Sequence, residues 1–157
     1  MKFYNSNNII LFNVLAFLEI VVLYFLYREK FKKAKWLYFL SGGALLYIAI
    51  EAFMIDQSDI ATFQTYSRIV SSFVIAIMVL NYLFTELREG SILKNDTLHF
   101  VILFYYSIEF MLLIPFNFLI NSSITSIMYI WTARIFLNFI LYSYLTYFIW
   151  RSGKILK

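Results

Sequence analysis

Five long apolar runs constrain the fold of this chain more than any other feature. The first, from Asn8 to Tyr27, contains one charged residue, and four runs of similar length follow it. A membrane-spanning helix needs about 20 mainly apolar residues, and lipid cannot satisfy the polar groups of an open backbone. The sequence therefore predicts one all-α domain, residues 1–157, forming a five-helix integral membrane bundle with spans at 8–27, 36–55, 69–87, 97–120 and 124–150.

The composition favours the same conclusion. Hydrophobic residues make up 62% of the chain and charged residues 14%, whereas soluble domains average about 45–50% and roughly 25%. A single domain of 157 residues could not hide this much apolar surface from water. We therefore expect most of the surface of the chain to contact the lipid bilayer.

Several kinds of chemistry are excluded by the residues that are missing. The chain has no cysteine, which excludes disulfides, thiolate metal sites and cysteine nucleophiles. His99 is its single histidine, so a bis-histidine haem and an HExxH zinc site cannot form within the chain. No phosphate-binding glycine loop is present, and the connections between spans are short. We expect no catalytic residue, no cofactor and no enzymatic activity.

The basic residues are concentrated on one side of the predicted bundle. The net charge is +4, and residues 28–35 alone sum to +4, from five basic residues minus one acidic residue. Such a juxtamembrane cluster indicates a topology signal or a lipid-headgroup contact rather than a nucleic-acid-binding face. Its basic members are Arg28, Lys30, Lys32, Lys33 and Lys35.

The same bias predicts the orientation. Outside the spans, ten basic residues fall on one side, and Lys2 and Arg68 fall on the other. Because positively charged loops stay in the cytoplasm, we expect an outward N-terminus and a cytoplasmic C-terminus in a bacterial inner membrane.

Ionisable residues inside a membrane are costly and are functional candidates by default. Glu109 lies near the centre of span four, and Arg134 lies ten residues into the antiparallel span five, so the two can meet. We favour a structural ion pair, with a transport or gating role as the alternative. The predicted intramembrane polar network consists of Glu19, Glu51, Glu109, Arg134, Asn138 and Tyr142.

Span five places part of that network on one helix face. Trp131, Arg134, Asn138 and Tyr142 recur at spacings of three and four, and we expect this face to point into the bundle. Hydrogen bonding between helices is favoured over a functional role.

Two other polar features of the spans leave alternatives open. Glu19 and Glu51 are either proton carriers or protonated hydrogen-bond donors, and a metal site formed with Glu109 is a further alternative. In span two, the small residues from Ser41 to Ala44 predict a close approach of another helix.

The second half of the chain resembles a known type of protein. The segments that show the resemblance are SRIVSSFVIAIMVLNYLF (67–84), FVILFYYSIEFMLLIPFNFLI (100–120) and MYIWTARIFLNFILYSYLTYFIW (128–150). They resemble small, uncharacterised polytopic membrane proteins of the bacteroidete type, some of which are similar to the membrane sensor halves of histidine kinases without the kinase. Those proteins commonly have more spans, and YYSIEFMLLIP replaces the glycine-rich stretch of their penultimate helix. The resemblance implies no functional residue.

Three classes of function are compatible with these features to different degrees. We expect a non-enzymatic membrane module, either an accessory subunit or the sensor module of a larger complex, with other membrane subunits or a second copy as partners. The alternative is a small proton- or ion-coupled transporter or channel, oligomeric because five short-looped helices enclose little volume. A lipid-modifying membrane enzyme fits least.

Overall fold

A computed structural model shows an all-helical chain. It describes residues 7–28, 34–54, 66–90, 96–119 and 124–155. The helices are α1 (Asn7–Tyr27), α2 (Trp36–Met54), α3 (Tyr66–Glu89), α4 (Asp96–Leu119) and α5 (Ile124–Ile155), and the described residues contain no strand. The prediction of an all-α protein is confirmed, and each of the five apolar runs forms a helix.

Three helices are long and apolar enough to cross a membrane. These stretches are Trp36–Phe53 in α2, Tyr66–Glu89 in α3 and Thr97–Pro115 in α4. Helix α1 contains a shorter apolar stretch, Asn13–Tyr27. The chain is therefore a membrane protein by the length and composition of its helices, while five spans and their orientation stay predictions.

Helix α3 is the centre of the bundle. It packs against α1, α2 and α4, whereas α5 packs chiefly against α4. The contacts also give the directions of the helices. Tyr27 at the end of α1 and Tyr82 near the end of α3 both contact His99 at the start of α4, so α1 and α3 run in the same direction and α4 runs against them.

The buried face of α3 changes character along the helix. Its first two turns bury polar residues, and the rest of the face is apolar except for Glu86 near the end of the helix. The polar ones are Ser67, Arg68, Ser71 and Ser72, and the apolar ones are Val74, Ile75, Met78, Val79 and Leu83. Serine side chains are small enough for neighbouring helix backbones to come close, which is how membrane helices gain packing contacts. The first half of α3 is therefore positioned to carry a polar core.

The start of α3 corrects the sequence-based interpretation. The helix begins at Tyr66, not at Ile69, so Arg68 lies within it and is buried. Because Arg68 precedes the apolar run, the sequence predicts it in the outer loop. Removing it from the outer side changes the basic-residue comparison from ten against two to ten against one, Lys2.

The small-residue stretch 41–44 of α2 is buried at Ser41 and Ala44 but not at its two glycines. Gly42 and Gly43 are exposed, and a Cβ atom added at either would meet nothing within 4 Å. The flanking residues Ser41 and Ala44 are the buried ones. Helix α2 is therefore rotated so that the glycines face away from the bundle.

Candidate functional site

A chain of buried ion pairs joins α1, α3, α4 and α5. Arg68 lies between two carboxylates: its Nη1 is 2.6 Å from Glu19 Oε2, and its Nε is 3.2 Å from Glu109 Oε1. Arg134 Nη2 lies 3.0 Å from the same Glu109 oxygen. We call these four residues the charge network. The predicted contact between Glu109 and Arg134 is present, but it is one part of a larger arrangement.

Glu109 is the hub of the charge network. Its side chain is 2% exposed, so it must find its hydrogen bonds within the protein. Oε1 accepts from both arginines, and Oε2 accepts from the Ser72 hydroxyl at 3.2 Å. Hydrogen bonds between ionised partners are about twice as strong as neutral ones. Glu109 therefore connects α4 to α3 and α5 at once.

The charges of the network sum to zero. Glu19 and Glu109 contribute two negative charges, and Arg68 and Arg134 contribute two positive charges. Burying an unpaired ion costs several kcal/mol, and a neutral, hydrogen-bonded set offsets that cost. The Trp131 side chain packs against Arg134, whose guanidinium carbon lies 5.3 Å from the centre of the indole ring. The arrangement fixes four helices without leaving a net charge in the core.

Arg68 is the functional residue that the sequence analysis missed. Its side chain is 6% exposed, and it is the only link between Glu19 and Glu109 among the ion pairs of the described residues. The contact with Glu19, twelve residues into α1, brings the first turn of α3 close to the middle of α1. A signal was available: Ser67, Ser71 and Ser72 accompany Arg68 at helical spacing on one face.

Asn138 and Tyr142 do not join the charge network. The Tyr105 hydroxyl donates a hydrogen bond to Asn138 Oδ1, which forms a second polar contact between α4 and α5. Tyr142 is 57% exposed, so the expectation that it points into the bundle is wrong. The physical reason is that α5 packs chiefly on α4, and one neighbouring helix cannot cover the full width of the polar face.

Glu51 lies apart from the network. It is 4% exposed, it interacts with Ser67 and Tyr47, and its Oε2 has no hydrogen-bond partner among the described residues. Asn13 is also buried, and both polar atoms of its amide lack partners in the same part of the chain. Unsatisfied buried polar atoms are rare in folded proteins. The unpartnered Oε2 of Glu51 is therefore free to take up a proton or to accept a hydrogen bond from another donor.

The alternative of a metal site built from three glutamates is not supported. Within the part of the chain that the structure describes, no group of three or more His, Cys, Asp or Glu residues could hold a metal ion. Between Glu19 and Glu109 the guanidinium of Arg68 supplies the positive charge.

The opposite end of the bundle contains an aromatic cluster around His99. This histidine is buried, and its Nδ1 lies 2.8 Å from the Tyr27 hydroxyl. The Tyr82 ring packs on it with 4.4 Å between centroids. Because these residues come from α1, α3 and α4, the cluster holds together the second end of the same three helices.

Of the predicted basic loop, Arg28 and Lys35 are described and exposed. Arg28 lies over the Phe25 ring, 5.5 Å from its centre. The remaining members, Lys30, Lys32 and Lys33, lie outside the described residues.

The chain matches no protein-family model, no curated protein and no solved structure. The resemblance of residues 65–157 to bacteroidete-type membrane proteins stays a prediction.

Proposed function

We propose that this chain is a non-catalytic, five-span protein of a bacterial cytoplasmic membrane that works as an accessory subunit or sensor module of a larger complex. The ten-to-one distribution of basic residues supports a cytoplasmic C-terminus. The neutral charge network supports a structural core, because every one of its charges is paired.

The observation that carries the proposal is the outer face of α5. Only one side of this helix packs against α4, and the other side forms an open groove of about 730 Å³. The residues that line the groove are Phe139, Tyr142, Ser143, Thr146, Tyr147 and Trp150. Their spacing of three and four residues places them on one helix face.

The chemistry of this groove differs from that of an ordinary lipid-facing surface. Four of its six lining residues carry a hydroxyl group, and Ser143 and Thr146 form a low floor between aromatic side chains. Small and hydroxyl-bearing residues are enriched where membrane helices pack on one another, because they allow close approach and hydrogen bonding. The groove therefore fits a transmembrane helix of another subunit.

Purification from native membranes tests the proposal. The wild-type chain, extracted in mild detergent, should bring a stoichiometric membrane-protein partner that mass spectrometry identifies. Replacing the floor with Ser143→Leu and Thr146→Leu should fill the groove and release the partner. Phe39→Leu, at an exposed site on α2, is the matched control and should retain it. A wild-type chain recovered as a monomer without any partner would refute the proposal.

A proton- or ion-coupled transporter is the second candidate function, and Glu51 is the observation that favours it. A buried carboxylate with an unpaired oxygen can take up a proton or a cation during a transport cycle. Purified chain in liposomes should then carry a proton or cation flux, and Glu51→Gln should abolish that flux. If liposomes that contain the chain show no more proton or cation flux than empty liposomes, this candidate is excluded.

A further inference from the structure

A cavity lies between the last turns of α3 and Ala34, which precedes α2. Its volume is about 580 Å³. It is lined by Ala34, Asn81, Phe84, Thr85, Arg88 and Glu89. The five α3 residues recur at spacings of three and four, so they form one face of the helix. Ala34 closes the cavity from the segment that carries the basic loop.

The chemistry of the lining changes with depth. Arg88 is exposed in the last turn of α3. Seven residues earlier, about 10 Å deeper along the helix, Asn81 contributes an amide whose Oδ1 is buried and has no hydrogen-bond partner among the described residues. Phe84, between them, presents an exposed aromatic ring. A cation at the mouth, an amide below it and an apolar wall follow the order of groups in a phospholipid.

The charge around the mouth favours an anion. Ala34 belongs to the stretch 28–35, whose charges sum to +4 in the sequence, and Arg88 and Glu89 bring opposite charges to the lining. Glu89 already takes part in another interaction, whereas Arg88 has no ion-pair partner among the described residues. Basic pockets between transmembrane helices at the cytoplasmic surface bind anionic lipid headgroups.

We infer that this cavity binds the headgroup of an anionic phospholipid, with the phosphodiester at Arg88 and the glycerol ester carbonyls at the level of Asn81, whose amide N–H₂ group can donate to them. The guanidinium is suited to this ligand because its planar array of donors matches two phosphate oxygens. The Thr85 hydroxyl, which lies between these two levels, donates to the backbone carbonyl oxygen of Asn81 at 2.8 Å, so it is already used within the helix and does not compete with Arg88 for the phosphodiester. The inference rests on the proposed membrane embedding and does not require a protein partner.

Lipid binding to the purified, delipidated full chain tests the inference. Phosphatidylglycerol should bind the wild type and raise its thermal unfolding midpoint, while phosphatidylcholine of the same chain length should have little effect. Arg88→Gln should weaken phosphatidylglycerol binding about fivefold, the equivalent of ~1 kcal/mol per basic residue at an anionic surface. The matched control is Arg151→Gln, an exposed arginine on α5 outside the cavity, which should bind as the wild type does.

Asn81→Leu gives a second measurement that leaves all charges in place. It should weaken phosphatidylglycerol binding without changing the small response to phosphatidylcholine. Equal binding of the two lipids to the wild type, or wild-type binding by Arg88→Gln, would overturn the inference. Full competition by inorganic phosphate would do the same, because it would show a free-anion site. Since no partner protein is present, failure of the subunit proposal cannot produce any of these results.

Discussion

Replacing Arg68 with methionine isolates the energetic role of the charge network. Methionine keeps an unbranched side chain of similar length but removes the charge. Glu109 would still be paired with Arg134 and bonded to Ser72, whereas Glu19 would lose its ion-pair partner. The substitution therefore leaves one unpaired carboxylate, that of Glu19, inside the bundle.

The expected loss of stability depends on whether Glu19 stays ionised after Arg68 is replaced. Breaking a buried ion pair commonly costs ~3–5 kcal/mol, but an unpaired carboxylate can instead take up a proton. For an ordinary glutamate this costs about 4 kcal/mol at pH 7 and about 1 kcal/mol at pH 5. Because the Glu19 side chain is 17% exposed, we expect Arg68→Met to lower the free energy of unfolding by about 2–4 kcal/mol at pH 7. The loss should become smaller as the pH falls, because protonation removes the buried charge.

The assay is reversible unfolding in mixed detergent micelles at pH 7 and pH 5. The series consists of wild type, Arg68→Met, Glu19→Gln and the double variant. The double variant should be more stable than Arg68→Met alone, because the remaining pair of Glu109 and Arg134 is neutral. Arg151→Met, at an exposed position, is the control for removing an arginine and should change stability little at either pH.

Two results would refute this reasoning. If the losses of the two single variants add in the double variant, Arg68 and Glu19 do not interact energetically. If the Arg68→Met loss is the same at pH 5 and pH 7, the cost comes from packing and not from an orphaned carboxylate.

Three further predictions concern other parts of the bundle. Tyr105→Phe and Asn138→Leu should show a coupling energy of about 0.6 kcal/mol in a double-mutant cycle, the average for hydrogen bonds between membrane helices, and zero coupling would show that their bond adds no stability. Gly90 has a φ of 66°, so Gly90→Ala should lower the free energy of unfolding by about 1 kcal/mol. Gly43→Ala, at an open helical position, should leave the stability unchanged or raise it. Equal unfolding midpoints for the two variants would contradict this prediction. A reporter fused after Lys157 should be active only in the cytoplasm, and periplasmic activity would contradict the predicted orientation.

The helices could be predicted from the sequence because the length of an apolar run is a one-dimensional property. The network could be predicted only in part, because it depends on the relative depth of the helices. Arg68 stands at the edge of an apolar run, where the sequence alone allows either a loop or a helix. The deciding fact is that the first turn of α3 lies close to the middle of α1, beside Glu19, and that depth is set by tertiary packing.

Helical periodicity was similarly informative but incomplete. It placed Arg134, Asn138 and Tyr142 on one face, and the first two do contact α4. It could not show that α4 would cover only part of that face and leave Tyr142 exposed. In α2, the small residues predict a contact surface, but which of them face a neighbour depends on the rotation of the helix, which leaves Gly42 and Gly43 exposed.

The charge network also bears on where in the molecule a function would reside. A transport cycle through Glu109 would have to release hydrogen bonds to two arginines and a serine, and each charged hydrogen bond contributes about 1.5–3 kcal/mol. Glu51 is less constrained, because one of its carboxylate oxygens has no hydrogen-bond partner among the described residues. The groove on α5 and the cavity beside Arg88 likewise lie outside the network and can be occupied without breaking it. The centre of the bundle is therefore best suited to hold the helices in register, and the partner and lipid sites that we propose lie at its periphery.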